Sequence, residues 1–516
     1  MTGSVVARAS RHPLWTHVAI AAVLAVLTVV LLHDVGFILT RSLWLDESWV
    51  AISGRLPLDD LPRLTSSTPI GWNLLQRLFD PLGDQAPRLL PLAFSGAATA
   101  AGYALGVVAW PGRVRLRIVS GVAVATAVAF APLMLQRNDL KQYTSDVFFT
   151  LLIWALAVAW DVGRRRSTLI ALTAVAAFGL LFSLIVAFAA ASAFGALVIA
   201  MLVRRQWRPL IESLVGGAIG GAGIALWYLL FYRQTAQGAL GDFWKDFYPS
   251  FGGLRVYLLD RIQILAAITP HRAIALGIAL VLVIVVHLVL AIAARRPAGG
   301  LFIVVLCLGM IAAGVLRIYP LLDARTSLFL LVGASALTMV TAVRLVELAW
   351  GLLPRPVAAQ WAALVTIAAL IAPAAIWGSP WLRTTVFKDD DTLTLIDYLD
   401  AHRGADDPVA VDFFSSFSYA YYQRDITVGW RPSTVANGFQ VTFPGDHTVD
   451  SFGGGPGPLI AAYHRALRGD PGGTFWVLTA HKPIDVPKIL GSKAPVSVTS
   501  SGVDKLYRVD LAAGKP

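Results

Sequence analysis

Apolar runs of about 20 residues recur along this chain, and they constrain its fold more than any other feature of the sequence. A run of about 20 residues can cross the hydrocarbon core of a bilayer as one α-helix, because each residue adds about 1.5 Å of rise. The 516-residue chain is 57% hydrophobic and only 14% charged, with a mean hydropathy of +0.68. These values exclude an ordinary soluble protein and predict a polytopic α-helical membrane protein.

Eleven apolar segments are predicted to cross the membrane. The run 168–203 is too long for a single span, so we divide it near Phe182 and Ser183 into two short helices. The predicted spans are 14–32, 88–110, 118–135, 147–160, 168–182, 184–203, 209–232, 273–293, 300–316, 326–343 and 357–377.

The basic residues predict how these spans are oriented. The net charge of +11 comes from arginines that cluster in the short loops between apolar segments, for example Arg164–Arg166 and Arg295–Arg296. All of these clusters lie on one side if the amino terminus is cytoplasmic, as the positive-inside rule requires. The positive charge therefore indicates membrane topology and not a nucleic-acid partner. With eleven spans, the carboxyl terminus is predicted to be extracytoplasmic.

The composition changes near Ser379, where hydrophobicity falls. Strand-like and helical patterns then alternate, which is typical of a small α/β domain. We therefore predict a transmembrane domain over residues 1–378, with its first outer loop at 33–87, and an extracytoplasmic α/β domain over 379–516. The predicted strands are 408–413, 474–480 and 505–511, and the predicted helices are 391–403 and 457–468.

Two adjacent carboxylates, Asp46 and Glu47, follow the first predicted span. Trp44 and Trp49 flank them as interfacial anchors, and an amphipathic segment, 69–80, is predicted to lie flat on the outer leaflet. A carboxylate in such a half-dry place can act as a general base. The alternative is a pair of solvated carboxylates that help to end the helix.

Two further outer loops carry charges close to the membrane. The first contains Arg137, Asp139, Lys141 and Tyr143, which predict an edge that binds phosphate and hydroxyl groups. The alternative for this loop is a polar turn with snorkelling basic side chains.

The second charged loop contains Tyr319, Asp323 and Arg325. Arg325 lies on the outer side, against the general distribution of basic residues, and a guanidinium can bind phosphate through paired hydrogen bonds. A local salt bridge between Arg325 and Asp323 is an equally weighted alternative. The sequence contains no nucleotide-binding loop, no paired cysteine site and no His-Glu-x-x-His motif.

The order of these motifs resembles the GT-C membrane glycosyltransferases, especially glycosyltransferase family 39. That family includes protein O-mannosyltransferases and lipid A aminoarabinose transferases. The chain departs from the family where Ser67, Thr68 and Pro69 replace a common His-Pro-Pro, so no role of that histidine is carried over. Besides the Asp-Glu pair, the similar segments are STPIGWNLLQRL (67–78), APRLLPLAFSGA (86–97), APLMLQRNDLKQYTSDVF (131–148) and YPLLDARTSLFL (319–330).

The resemblance implies a GT-C-like catalytic membrane domain that transfers a sugar, with inversion, from a polyprenyl-phosphate donor to an acceptor hydroxyl outside the cytoplasmic membrane. Asp46 matches the catalytic aspartate of the family, and Glu47 would orient either the acceptor or Asp46. No cofactor is implied, and dependence on a divalent metal stays open. Arg137, Lys141 and Arg325 would bind the donor phosphate, and Tyr143, Asp139 and Tyr319 would contact the substrate.

Two other functions compete with the transferase. A lipid or glycolipid transporter usually carries ionisable residues within its spans. Here the ionisable residues collect in the outer loops, which favours an enzyme that works at the outer surface. The third alternative is a non-catalytic scaffold that displays the carboxyl-terminal domain. The sequence leaves open which sugar is transferred and whether the acceptor is a glycan, a lipid or a protein.

Overall fold

The computed structural model is mostly helical and has a strand-containing carboxyl-terminal part. It describes residues 12–61, 68–110, 114–131, 134, 139–233, 244–266, 269–352, 390–424, 426–432, 439–444, 448–453, 456–470, 472–481, 484–491 and 496–512.

Eight helices in these ranges are long and apolar enough to cross a membrane, so the chain is a multi-pass membrane protein. Two shorter apolar helices, Leu116–Ala129 and Arg166–Gly179, coincide with two more predicted spans. The eleventh predicted span, 357–377, and the domain boundary near 379 lie outside the described residues. The total of eleven therefore stays a prediction.

The helices before the carboxyl-terminal part are numbered in chain order. They are α1 (His12–Leu27, continued by a π-helical turn Thr28–Leu32), α2 (Val35–Thr40), α3 (Leu45–Arg55), α4 (Ile70–Gln76), α5 (Leu89–Ala109), α6 (Val114–Ala129), α7 (Tyr143–Gly163), α8 (Arg166–Gly179), α9 (Val186–Val203), α10 (Trp207–Trp227, continued by a π-helical turn Tyr228–Tyr232), α11 (Leu254–Ala266), α12 (Pro270–Ala293), α13 (Ala298–Val315) and α14 (Leu328–Leu352).

The centre of the bundle is formed by α5 and α7. Two-thirds (67%) of the most apolar stretch of each is buried, whereas only 11% is buried in α10 and α12, which lie at the periphery. Close helix contact depends on small residues: a Cβ added at Gly106 in α5 would lie 2.4 Å from the carbonyl oxygen of Ser120 in α6. The run 168–203 is divided as predicted, because α8 ends at Gly179 and α9 begins at Val186.

The predicted interfacial helix is present but shorter, since α4 ends at Gln76. Its polar residues Asn73 and Gln76 are buried against the protein, while Leu74 and Leu78 are 40% and 68% exposed. The polar edge therefore faces inward and the leucines face outward. This arrangement suits a segment at the membrane surface.

The carboxyl-terminal part contains α15 (Thr392–His402), β1 (Val409–Asp412), α16 (Phe413–Tyr422), β2 (Gly429–Pro432), β3 (Phe439–Thr442), β4 (Val449–Phe452), α17 (Pro456–Gly469), β5 (Thr474–Thr479), α18 (Val486–Leu490), β6 (Val496–Ser501) and β7 (Asp504–Asp510). It is built around a five-stranded sheet of order β4-β1-β5-β7-β6. Strands β4, β1 and β5 are parallel, and β7 and β6 are antiparallel to their neighbours. The predicted strands correspond to β1, β5 and β7, and the predicted helices to α15 and α17.

Candidate functional site

Asp46 and Glu47 occupy the first turn of α3, which begins just after Trp44. Carboxylates are favoured at this end of a helix, because the unpaired backbone N–H groups and the helix dipole are positive there. The Glu47 carboxylate also accepts a hydrogen bond from the backbone N–H of Trp44, at 3.3 Å. The two carboxylates therefore stabilise the start of the helix. In this position Asp46 also lies beside charged residues of two other loops.

Two cations face the carboxylate of Asp46. Its Oδ2 atom accepts a hydrogen bond from Nη1 of Arg325 at 3.2 Å and lies 3.8 Å from Nζ of Lys141. The side chain of Asp46 is 19% exposed, whereas that of Lys141 is 6% exposed. The carboxylate of Asp46 is thus accessible from outside the protein, whereas the ammonium group of Lys141 is buried.

Each of the two cations is also held by its surroundings. Lys141 lies over the ring of Trp49, 5.2 Å from its centroid, and Arg325 lies 5.5 Å from the ring centroid of Trp244. Asp323 accepts hydrogen bonds from the backbone N–H of Arg325 and of the next residue, at 2.9 and 3.1 Å. The loop is therefore ordered around the guanidinium.

Burial and charge act in opposite directions on the pKa values of the two cations. Burial lowers the pKa of Lys141, and the carboxylate of Asp46 only partly offsets this effect. For Arg325, burial also lowers the pKa, but Tyr143, Asp46 and Asp323 together raise it above its ordinary value. Arg325 therefore stays a permanent positive charge.

The three predicted substrate-contacting residues lie near this cluster. The charge of Asp139 acts on both Lys141 and Arg325, and Asp139 itself is fully buried. Tyr143 is the first residue of α7 and is 6% exposed. Tyr319 donates a hydrogen bond to the carbonyl of Thr326 at 3.2 Å, and burial raises its pKa well above 10. Tyr143 is therefore nearly enclosed, whereas Tyr319 is half-buried.

Glu47 and Arg137 differ from the other predicted site residues. Arg137 lies outside the described residues. Glu47 is fully buried and pairs with Arg88, whose Nη2 and Nε atoms lie 2.5 and 3.0 Å from the carboxylate. Burial raises the pKa of Glu47, but Arg88 and Arg41 lower it more, so it falls below its ordinary value. This geometry suits the orienting of α3, not contact with a substrate.

Arg88 is a site residue that sequence reasoning missed. It is fully buried, and besides Glu47 it donates hydrogen bonds to the carbonyls of Ile38, Arg41 and Ser42, at 2.8, 2.6 and 2.7 Å. It therefore fixes the loop that leads into α3. The available signal was a lone arginine directly before an apolar span, in a segment noted only for its resemblance to the family.

Helix α16 of the carboxyl-terminal part packs against α3. The hydroxyl of Ser418 donates to that of Ser48 at 2.8 Å, and the Tyr422 hydroxyl accepts from the backbone N–H of Leu43 at 2.7 Å. The ring of Phe417 lies 6.0 Å from that of Trp49, which in turn lies against Lys141. The carboxyl-terminal part therefore contacts the surroundings of Asp46 directly.

Within the described part of the chain, no group of three or more His, Cys, Asp or Glu side chains is arranged to hold a metal ion. Neither a scan against protein-family models nor a search of curated proteins found a match to this chain.

Solved structures do resemble the chain. The oligosaccharyltransferase of Archaeoglobus fulgidus, in complex with zinc and sulfate, matches with a TM-score of 0.50 and 11% identity over 78% of this chain. The match covers 61% of the length of that enzyme. At this identity the likeness concerns the fold alone, and the chain accordingly has a GT-C-like membrane fold.

ArnT of Cupriavidus metallidurans was found in two states. The form bound to undecaprenyl phosphate has a TM-score of 0.47 and 13% identity, and the match covers 97% of this chain and 99% of ArnT. The apo form has a TM-score of 0.48 and 14% identity, with coverage of 98% and 100%.

Proposed function

We propose that the protein is an inverting glycosyltransferase that moves a sugar from a polyprenyl-phosphate donor to an acceptor hydroxyl. The reaction would take place on the outer side of the cytoplasmic membrane, with the amino terminus in the cytoplasm. The observation that carries the proposal is the carboxylate of Asp46 beside Lys141 and Arg325, in a GT-C-like fold. A base next to two cations suits attack by a hydroxyl and departure of a phosphate.

In the proposed reaction the acceptor oxygen attacks the anomeric carbon of the sugar from the face opposite the phosphate. Asp46 takes the proton of the attacking hydroxyl as the new carbon–oxygen bond forms. The bond between the anomeric carbon and the phosphate oxygen breaks, and its electron pair leaves with the polyprenyl phosphate. Lys141 and Arg325 stabilise the negative charge that develops on that oxygen.

The remaining site residues support this step. Glu47, held by Arg88, would orient the turn that carries Asp46, and Asp139, Tyr143 and Tyr319 would line the substrate site. Arg137, in the same loop as Lys141, is proposed as a further contact to the donor phosphate. The carboxyl-terminal domain would cover the site and contact the acceptor.

The test is donor turnover by the purified protein in lipid, with a panel of polyprenyl-phosphate sugars and candidate acceptors. Asp46→Asn should reduce the release of polyprenyl phosphate by at least about 100-fold, because a positioned general base contributes about 10²–10⁴ in rate. Asp59→Asn removes an exposed carboxylate from the same outer loop and is the matched control.

Two outcomes would contradict the proposal. Equal turnover by Asp46→Asn and the wild type would exclude Asp46 as the base. No turnover with any donor in the panel, by a correctly folded protein, would favour the transporter or the scaffold.

A further inference from the structure

A second charged cluster lies at the opposite end of the bundle. Asp161 is near the end of α7, and Tyr143, which begins that helix, lies beside the Asp46 site. A helix of this length separates the two places by about 27 Å, close to the thickness of a bilayer core. The cluster therefore belongs to the other membrane surface, and the proposed reaction does not use it.

Asp161 is the centre of this cluster, and its carboxylate accepts hydrogen bonds from three different residues. Its Oδ1 atom accepts from Nη2 of Arg164 at 3.0 Å and from Nη1 of Arg204 at 2.6 Å. Its Oδ2 atom accepts from the backbone N–H of Ala298 at 3.3 Å. The carboxylate is 1% exposed, so it is enclosed by the groups that it binds.

Two more arginines complete the cluster. Arg344 pairs with Glu347 and lies over the ring of Trp110, 5.3 Å from its centroid. Arg296 lies in the loop between α12 and α13. Nη2 of Arg204 donates a hydrogen bond to the carbonyl of Arg295, next to Arg296. Burial lowers the pKa of Arg296, Asp161 raises it, and Arg204 and Arg344 lower it further, so Arg296 lies within electrostatic reach of both arginines. Arg204 acts in the same way on Arg164.

The cluster has an excess of positive charge and of hydrogen-bond donors. The four guanidinium groups have two carboxylates of their own, Asp161 and Glu347. The third carboxylate nearby, Glu212, pairs with two other arginines, Arg166 and Arg208, so positive charge exceeds negative charge here. Within this cluster, three buried donor atoms have no acceptor among the described residues: Nη1 of Arg164, Nη1 of Arg296 and Nε of Arg344. Buried donors and charges are stabilised by an acceptor of opposite charge. An anion with several oxygens would satisfy both needs.

The surroundings indicate which anion this is. Apolar side chains around the cluster are exposed on the outside of the bundle: Val203 by 76%, Ile292 by 56%, Leu345 by 46% and Leu348 by 41%. A ligand that binds here would meet acyl chains on one side and arginines on the other. We infer that the cluster of Arg164, Arg204, Arg296 and Arg344 binds the phosphate of an anionic diacyl phospholipid.

The inference is independent of the proposed transferase, and lipid binding tests it directly. The full chain, delipidated in detergent, is titrated with phosphatidylglycerol or phosphatidylcholine of the same acyl chains, and bound lipid is counted by native mass spectrometry. The wild type should bind phosphatidylglycerol more tightly than phosphatidylcholine. Arg296→Gln should weaken the binding of phosphatidylglycerol about fivefold, the effect of one lost charge near a membrane surface.

Arg208→Gln is the matched control, since Arg208 lies near the same membrane surface but is 77% exposed and paired with Glu212. It removes the same charge and should leave binding unchanged. If both variants lose the same affinity for phosphatidylglycerol, the lipid is attracted by the general positive charge of this surface and the proposed site is rejected. Equal binding of the two lipids by the wild type would overturn it as well, even where Arg296→Gln fails to fold. Full competition by millimolar inorganic phosphate would overturn the assignment to a lipid.

Discussion

At the scale of single residues, Asp46 and the proposed donor phosphate would interact with the same two cations. In the structure Oδ2 of Asp46 lies 3.2 Å from Arg325 and 3.8 Å from Lys141, and the proposed phosphate, on the other face of the sugar, would have to share these cations with it. The carboxylate and the phosphate repel each other as well. Donor binding would therefore draw the cations away from Asp46, which leaves its carboxylate to accept a proton from the acceptor.

This competition makes a prediction about product binding. Asp46→Asn should bind polyprenyl phosphate more tightly than the wild type, by about fivefold, because it loses a negative charge worth ~1 kcal/mol at a partly exposed site. The dissociation constant can be measured by calorimetry in detergent, with Asp59→Asn as the control. Weaker binding by Asp46→Asn would show that Asp46 holds the cations in place for the phosphate and does not compete with it.

At the scale of elements, helix α16 packs against α3 and holds it in position. The buried hydrogen bond between Ser418 and Ser48 and the bond from Leu43 to Tyr422 hold the start of the helix that carries Asp46. Phe417 packs on Trp49, the ring on which Lys141 lies. The proposed base and one proposed phosphate ligand therefore both lie against the carboxyl-terminal part of the chain.

Tyr422→Phe tests this role. The change removes the hydroxyl that accepts the Leu43 N–H and leaves that donor without its acceptor, at a cost of about 1–3 kcal/mol. We expect kcat to fall about tenfold with KM for the donor little changed, because small displacements of a catalytic group reduce its rate strongly. The measurement is steady-state turnover per folded protein. The control is Tyr398→Phe, on α15 of the same part of the chain. An unchanged kcat in folded Tyr422→Phe would reject the proposed positioning role of α16.

The elements also show what the sequence could and could not predict. Apolar length alone located ten segments that are helical in the structure, and short strand-like stretches located β1, β5 and β7, because both signals are local. Helix α16 was missed. Its sequence, FFSSFSYAYY, is rich in serine and aromatic residues, which have modest helix propensity. Its packing against α3, from nearly 370 residues earlier in the chain, is what favours the helix.

The sequence also predicted part of the candidate site, namely the part that depends on local signals. Asp46, Lys141 and Arg325 stand out because charged residues are costly next to a membrane. Glu47 looked like their equal in the sequence, since nothing local distinguishes it from its neighbour. Its burial depends on Arg88, which is 41 residues away in the chain, and a contact of that kind has no local signature.

At the scale of the whole molecule, Asp412 connects the sheet to the membrane bundle. It is the last residue of β1 and also caps α16, where its carboxylate accepts from the backbone N–H of Ser415 at 2.7 Å. Burial raises the pKa of Asp412 to about 7. Protonation at this position therefore acts on the element that holds α3, and through it on both parts of the protein.

The sign of the resulting pH dependence follows from the direction of the shift. The pKa of Asp412 is about 7 in the folded protein, and its ordinary value is 3.8, so the folded state binds the proton more tightly. The free energy of unfolding should fall as the pH rises from about 4 to about 7 and level off above that. Asp412→Asn keeps a capping side chain without the ionisable group, so it should remove the contribution of Asp412 to this slope, up to about 4 kcal/mol over the window. The slope is measured by thermal unfolding of the full chain at several pH values.

The control is Asp510→Asn, because Asp510 is an exposed residue of β7. An unchanged slope in Asp412→Asn would assign the pH dependence to other buried acids, and Asp504, whose pKa burial raises to about 6, would be the next to test.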